Sequence, residues 1–273
     1  MDPAVDGATV VVTGGASGIG RATARAYAEH GATVVIADVA VDDGEAAVRS
    51  ITEDGGTATF VETDVTDREH VASLLDAAAD EFGGVDVVIS NAGGSAGDDA
   101  LHRLDVETWT RMIELNLGSH FLLAREALPH LVDSEIGSIT FTSSVNGVTG
   151  IGLVGYSAAK SGLFGLSRVI AAQYGRHGVR SNVVCPGTIQ SEALAAKREA
   201  EWSEELHDLW YAQYPLGRFG RPEEVADAML FVGSRLGSFL TGTELVVDGG
   251  LSTSLDGTLL DSMYDLEELS RDD

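Results

Sequence analysis

The stretch TVVVTGGASGIGRATARAYAEHG, residues 9–31, decides how this chain is read. Thr9 to Thr13 form a run of high β propensity that passes into Gly14, Gly15, Gly18 and Gly20, and an Ala-rich segment of helical character follows at once. A strand that turns through glycines into a helix leaves the first helical N–H groups and the positive dipole end facing the loop. Glycine also lets the main chain come close to an anion. The spacing Gly14, Gly18, Gly20 departs from the commoner G-x-G-x-x-G. A pyrophosphate site formed by Gly14, Ser17, Gly18, Ile19 and Gly20 is the expectation.

Outward from this stretch the same alternation recurs. TVVIADV, TATFVETDV, VDVVISNAGG, GSITFTSS, VRSNVVCPG and ELVVDGG are short runs rich in Val and Ile, separated by longer segments of helical periodicity. Repeated β-α units connect parallel strands right-handedly beneath helices on both faces, so the expected class is α/β with a doubly wound parallel sheet. No Pro- or Ser-rich linker interrupts residues 7–250, and residues 1–250 are read as one dinucleotide-binding domain. Residues 251–273 read as an acidic C-terminal extension with seven Asp or Glu against Arg271. Its spacing Leu255, Leu259, Met263, Leu266 fits an amphipathic helix, and a solvated tail fits equally.

With 43 acidic against 17 basic residues the chain carries −26 at pH 7, which argues against nucleic acid and anionic membrane surfaces as partners. Only Lys160 and Lys197 among the bases are lysines. Abundant Asp and Glu with Arg in place of Lys is similar to proteins of halophilic archaea, where counter-ions screen self-repulsion. Cys185 is the single cysteine, and His30, His70, His102, His120, His130, His177 and His207 are scattered without ligand spacing, so no metal is expected. MDPAVDGATV lacks the basic start and apolar core of a signal peptide, and no run of 18 apolar residues occurs; a cytoplasmic protein is expected.

Asp38 closes TVVIAD about 20 residues beyond the loop, where a carboxylate accepts hydrogen bonds from ribose hydroxyls and repels a 2′-phosphate. Neither Ser17 nor Val39 supplies the Arg or Lys that a 2′-phosphate favours, so NAD is expected over NADP. A turn-capping role for Asp38 is the alternative. Further on, Tyr156 and Lys160 stand at i and i+4 in YSAAKSGLFGLSRVIAAQYG and project from one helix face. An ammonium beside a phenol favours the phenolate, lowering a pKa that is ordinarily about 10. Such a pair can exchange a proton with an alcohol or a carbonyl.

Other motifs follow in order: Asp64 with Val65 in ETDV, Asn91, Ala92 and Gly93 in SNAGG, Asn116 in IELNLGSHF, TSS at 142–144, and Pro186, Gly187 and Ile189 in PGTI. Together with TGGASGIG, YxxxK, GRPEEVA and TGTELVVDGG they resemble the short-chain dehydrogenase/reductase family over residues 7–250. The resemblance implies a Rossmann fold and an NAD-preferring oxidoreductase acting on CH–OH donors. It further implies a homotetramer with the helices of Asn116 and Tyr156 between subunits. Asp64 and Val65 would contact adenine, Asn91, Ala92 and Gly93 would support the central strand, and PGTI would meet the nicotinamide carboxamide. Ser144 would hydrogen-bond the substrate oxygen and Tyr156 would pass the proton. Lys160 would lower the Tyr156 pKa and hold the nicotinamide ribose, and Asn116 would anchor a water. The family's frequent serine-to-tyrosine spacing selects Ser143, whereas the SxxG pattern in SVNG selects Ser144; the reading takes Ser144, with the loop GVTGIGLVG one residue shorter.

In the family a mobile substrate lid would cover about residues 188–216. Here that stretch is acid-rich and holds Trp202, Trp210, Tyr211 and Tyr214, read as the apolar face of lid helices or as a surface for a sugar or acyl chain. Its acids disfavour a phosphorylated substrate or an acidic carrier protein. The expected reaction moves a hydride between NAD(H) and a small secondary alcohol, polyol or sugar and its carbonyl counterpart. A 3-oxoacyl thioester reductase and a non-catalytic dinucleotide-sensing module are the alternatives.

Overall fold

In the computed structural model, which describes residues 2–191 and 203–253, each Val- and Ile-rich run becomes a strand. These are β1 (Thr9–Thr13), β2 (Thr33–Asp38), β3 (Thr57–Glu62), β4 (Val87–Ser90), β5 (Ser138–Thr142), β6 (Arg180–Pro186) and β7 (Glu244–Val247). They form a seven-stranded sheet in the order β3-β2-β1-β4-β5-β6-β7, parallel throughout, a Rossmann-like fold. β1 is buried at all of its positions because helices cover both faces of the sheet, which is why its sequence reads as an unbroken apolar run.

On one face α1 (Gly18–Glu29), α2 (Val41–Glu53) and α9 (Pro222–Gly233) bury Tyr27, Ile51 and Met229 against β1, β2 and β4. On the other, α3 (Arg68–Phe82), α5 (Ser119–Asp133) and α7 (Val154–Tyr174) bury Leu74, Leu131 and Leu163. Three further helices, α4 (Val106–Ile113), α6 (Val145–Val148) and α8 (Glu204–Tyr211), lie around the C-terminal ends of the strands. The strand order reverses between β1 and β4, and ligands of such sheets bind in the crevice at that point.

Residues 192–202 of the expected lid, with Trp202, and the extension from residue 254 onward lie outside the described residues. Beyond residue 202, α8 carries Trp210 and Tyr211, and Tyr214 follows it; all three pack in an apolar cluster with Val145, Phe219 and Leu251. No described helix is long and apolar enough to cross a membrane.

Arg180, at the start of β6, locks the two layers together. Its guanidinium donates to the carbonyls of Val232, Gly233, Ser234 and Gly237, closing the end of α9, where helical carbonyls have no partner of their own. Burial lowers its pKa, and a neighbouring Tyr27 phenol opposes that shift. Arg180→Met keeps the apolar stem but leaves these carbonyls without their donor. Its urea midpoint should correspond to a loss of roughly 2–4 kcal/mol with an unchanged denaturant slope; a wild-type midpoint would show that the contact contributes nothing.

Candidate functional site

The loop between β1 and α1 is tight enough to admit no side chain at its turn: a Cβ on Gly20 would lie 2.0 Å from the Gly14 carbonyl oxygen. Gly18 has φ of +52°, a region that glycine enters at little cost, and it starts α1. Over this loop and the C-terminal strand ends opens a cleft of about 1060 Å³, beyond the usual range for a small-ligand pocket and ample for a dinucleotide with a small substrate. Gly14, Ser17, Gly18, Ile19, Asp38, Asp64 and Val65 line one half, and Asn91, Ala92, Gly93, Ser144, Tyr156, Lys160, Pro186, Gly187 and Ile189 line the other. Of the residues singled out from sequence, Gly20 and Asn116 do not face the cleft; Gly20 serves the turn and Asn116 lies beneath it.

Asp38 does two things. Its carboxylate accepts from the Ala40 N–H, capping the strand-to-helix turn, and from the Ala16 N–H, tying β2 to the glycine loop. Asn91 staples the switch point: its amide donates to the carbonyls of Thr13 and Gly14 and accepts from the Thr142 hydroxyl, joining β1, β4 and β5. Asp64 accepts from the backbone and hydroxyl of Thr66, which holds its carboxyl below the usual value.

At the other end of the cleft, α4 and α5 are joined by a π-helical turn, Glu114–Gly118, absent from the sequence reading. Its extra residue turns Asn116 inward. The Asn116 amide donates to the carbonyls of Gly94 and Met112 and accepts from the Gly94 N–H. Gly93 must lack a side chain here, since a Cβ would lie 2.7 Å from Asn116 Oδ1 and 3.2 Å from Lys160 Nζ. Lys160 is 2% exposed, donates from Nζ to the Thr142 carbonyl at 2.8 Å, and sits 5.6 Å from the centre of the Tyr156 ring.

Ser144 caps α6, its Oγ accepting from the Asn146 N–H and donating to Asn146 Oδ1, and it lines the cleft together with Tyr156, whereas Ser143 turns away and donates to the Lys160 carbonyl at 2.8 Å. In the loop before α7, Gly152 and Leu153 are both at positive φ. Burial pushes the Tyr156 phenol above its ordinary value, with Ser144 opposing, and pushes Lys160 down to about 7. The expected lowering of the phenol by the Lys160 charge is not found; burial disfavours both charged forms, raising the phenol and lowering the ammonium.

Two residues here escaped the sequence reading. α7 has no cap of its own, since Leu153 precedes it at φ of +37°. Asp98, from the loop after β4, supplies one: its carboxylate accepts from the Gly155 N–H at 3.2 Å and the Tyr156 N–H at 2.7 Å. The second is His120, buried on α5 against Lys160. No local signal marks either, because both contacts join distant segments. Asp98→Ala should destabilise the protein by about 1–2 kcal/mol in urea unfolding, and Asp98→Asn, which keeps one acceptor, by about half of that. Equal midpoints for wild type and Asp98→Ala would remove the capping role.

A family model described as enoyl-(acyl carrier protein) reductase matches residues 14–252. The cis-4-hydroxycyclohexanecarboxylate dehydrogenase of Sinomonas cyclohexanicum is 42% identical over 88% of this chain and 94% of its own length. A 3-oxoacyl-(acyl-carrier-protein) reductase of Thermotoga maritima is 33% identical over 90% of this chain and 98% of its own length. The crystal structure of levodione reductase superposes with a TM-score of 0.86 at 29% identity, covering 92% of this chain and 99% of that one. With the ordered motifs gathered along one cleft, these similarities establish that the chain belongs to the short-chain dehydrogenase/reductase family of oxidoreductases, which bind a nicotinamide dinucleotide.

Proposed function

We propose that this chain is an NAD-dependent dehydrogenase of cyclic secondary alcohols and their ketones, with Ser144, Tyr156 and Lys160 as its reaction centre and Asn116 supporting it from beneath the cleft. The observation that carries this reading is the convergence of Ser144, Tyr156 and Lys160 on one cleft, with the Lys160 head group 5.6 Å from the centre of the Tyr156 ring. A substrate oxygen set against both hydroxyls accepts from Ser144 and exchanges its proton with Tyr156 Oη. The glycine loop and PGTI segment would hold the dinucleotide, which supplies or accepts the hydride when bound. Asn116 holds the Gly94 backbone and stands beside Lys160.

The preference for NAD is supported by three carboxylates, Asp38, Asp43 and Asp64, that line one end of the cleft, where a 2′-phosphate would meet like charge. For the substrate, the relative of 42% identity is named for an alcohol on a cyclohexane ring. Val145, directly after Ser144, belongs here to an apolar cluster with Ile151, Trp210, Tyr211, Tyr214 and Phe219. Aromatic faces favour an alicyclic ring over a polyol or sugar. The charge of −26 disfavours docking of an acidic acyl-carrier protein.

NADH formation across cyclohexanols, acyclic secondary alcohols, polyols and 3-hydroxyacyl thioesters tests the reading, with cyclic alcohols expected to give the highest kcat/KM. Tyr156→Phe should lower kcat about 10²–10⁴-fold and Ser144→Ala about 10²-fold, with Ser143→Ala within a few-fold. Loss of turnover in Ser143→Ala alone would overturn the serine assignment, and preference for NADPH with an acyl thioester would favour the reductase alternative. Because burial raises the Tyr156 pKa, alcohol oxidation, which needs the phenolate, should accelerate with rising pH. Carbonyl reduction, which needs the neutral phenol, should slow. Opposite slopes in the two initial-rate profiles are the expected outcome.

We also propose that the net charge makes stability salt-dependent. Screening lengths fall from about 10 Å at 0.1 M to about 3 Å at 1 M salt, so the thermal midpoint should rise across that range; a flat profile would count against a halophilic chain.

A further inference from the structure

We infer that His120 is a positioning residue for Lys160: its Nε2 accepts from the lysine ammonium and, with the Thr142 carbonyl, fixes that head group beside Tyr156. The inference deepens the proposed function and rests on Lys160 belonging to the reaction centre.

Both side chains are inside the protein, Lys160 at 2% and His120 at 1% exposure. Lys160 Nζ lies 2.8 Å from the Thr142 carbonyl oxygen and 3.5 Å from His120 Nε2. The other ring nitrogen, Nδ1, is 2.6 Å from Ser90 Oγ, and the ring stands edge-on to Phe141 with centroids 6.0 Å apart. An imidazole held on those sides has little room to turn. An ammonium has three donors and no acceptor, so the ring nitrogen that meets it must carry the lone pair. The single proton of the neutral ring therefore sits on Nδ1, directed at Ser90.

The ring is kept neutral. Burial and the Lys160 charge both push its pKa well below the ordinary value, against the Ala92 carbonyl, which favours a proton. The other groups facing Lys160 are dipoles or neutral: Tyr156, the Asn116 amide, and the Cys185 thiol, which burial pushes up to about 12. A buried ammonium with so few partners responds to the loss of any one acceptor. Removing the His120 nitrogen should make the proton of Lys160 easier to lose.

The chain's scarcity of lysine makes this directly measurable. Protein carrying ¹³Cε-labelled lysine has only Lys160 and Lys197 to report, and Lys197→Arg assigns the signals. In His120→Leu the Lys160 titration midpoint should fall by about one pH unit, the size expected for one hydrogen bond to a charge. His120→Gln, whose amide oxygen reaches the same region, should stay near wild type. His120→Asn, long enough for Ser90 but too short for Lys160, should fall like Leu, and it replaces the Leu variant if that one does not fold. A midpoint that is unchanged or raised in folded His120→Leu, or the same in the Asn and Gln variants, overturns the inference. A lowered midpoint alongside a fully active Tyr156→Phe would keep the contact and reject the reaction centre it rests on. An unchanged midpoint with an inactive Tyr156→Phe would reject His120 alone.

Discussion

A lysine head group held inside the protein is the constraint on which this site depends. Taking an ammonium out of water is costly unless hydrogen bonds replace the lost solvent, and Lys160 at 2% exposure has almost none left. The fold answers with backbone and small residues rather than with a carboxylate. β5 ends so that the Thr142 carbonyl meets Nζ, and Gly93 leaves room for both Nζ and Asn116. Ser143 donates to the Lys160 carbonyl, fixing the main chain of α7 against the end of β5. Gly147 permits that approach, since a Cβ there would lie 2.9 Å from Ser143 Oγ. Adjacent serines thus divide the work, one fixing the lysine backbone and the other lining the cleft with the tyrosine.

The irregular geometry of the chain concentrates around the same point. The π-helical turn at Glu114–Gly118 and the positive φ of Leu153 both border α7, and conformations of the latter kind cost on the order of 1–3 kcal/mol. Each is offset nearby. Asn116 gains three backbone partners from its turn, and the helix that Leu153 fails to cap is capped by Asp98 from 57 residues earlier. A carboxylate at that helix N-terminus also meets the positive end of the dipole. The strain is therefore held by contacts that couple the loop after β4 to the tyrosine helix, so a change in either segment is felt by Tyr156.

The sheet was legible because each strand is a short, doubly buried Val- and Ile-rich run, and its period-free apolar character survives in sequence. The glycine loop, Asp38 and the Tyr156–Lys160 pair were legible for a related reason: their spacing is local, within one turn or one helix. What the sequence concealed is non-local. Asp98 meets Tyr156, and His120 meets Lys160, only after the chain has crossed the sheet and returned. The π-helical turn left no mark because ELNLG suits an ordinary helix equally well. The effect of burial on Tyr156 and Lys160 was also out of reach, since the i, i+4 spacing says which groups meet but not how much water remains.

Arg180 and Lys160, the partly and the wholly buried cation, show why a chain so poor in lysine keeps one here. Arg180 must reach four carbonyls spread over the end of α9, and a planar fork with several fixed donors covers them. Lys160 has the opposite task, a single point of charge between a strand-end carbonyl, a neutral imidazole and a phenol, where Gly93 already leaves no room to spare. A guanidinium would bring donors that these few acceptors cannot satisfy, and it would stay charged at any accessible pH. An ammonium on a flexible stem fits the space, and its pKa responds to the surroundings, moving here to about 7. Substitution toward arginine can therefore proceed at exposed positions, where hydration tolerates either head group, and must stop where a small, titratable charge is required.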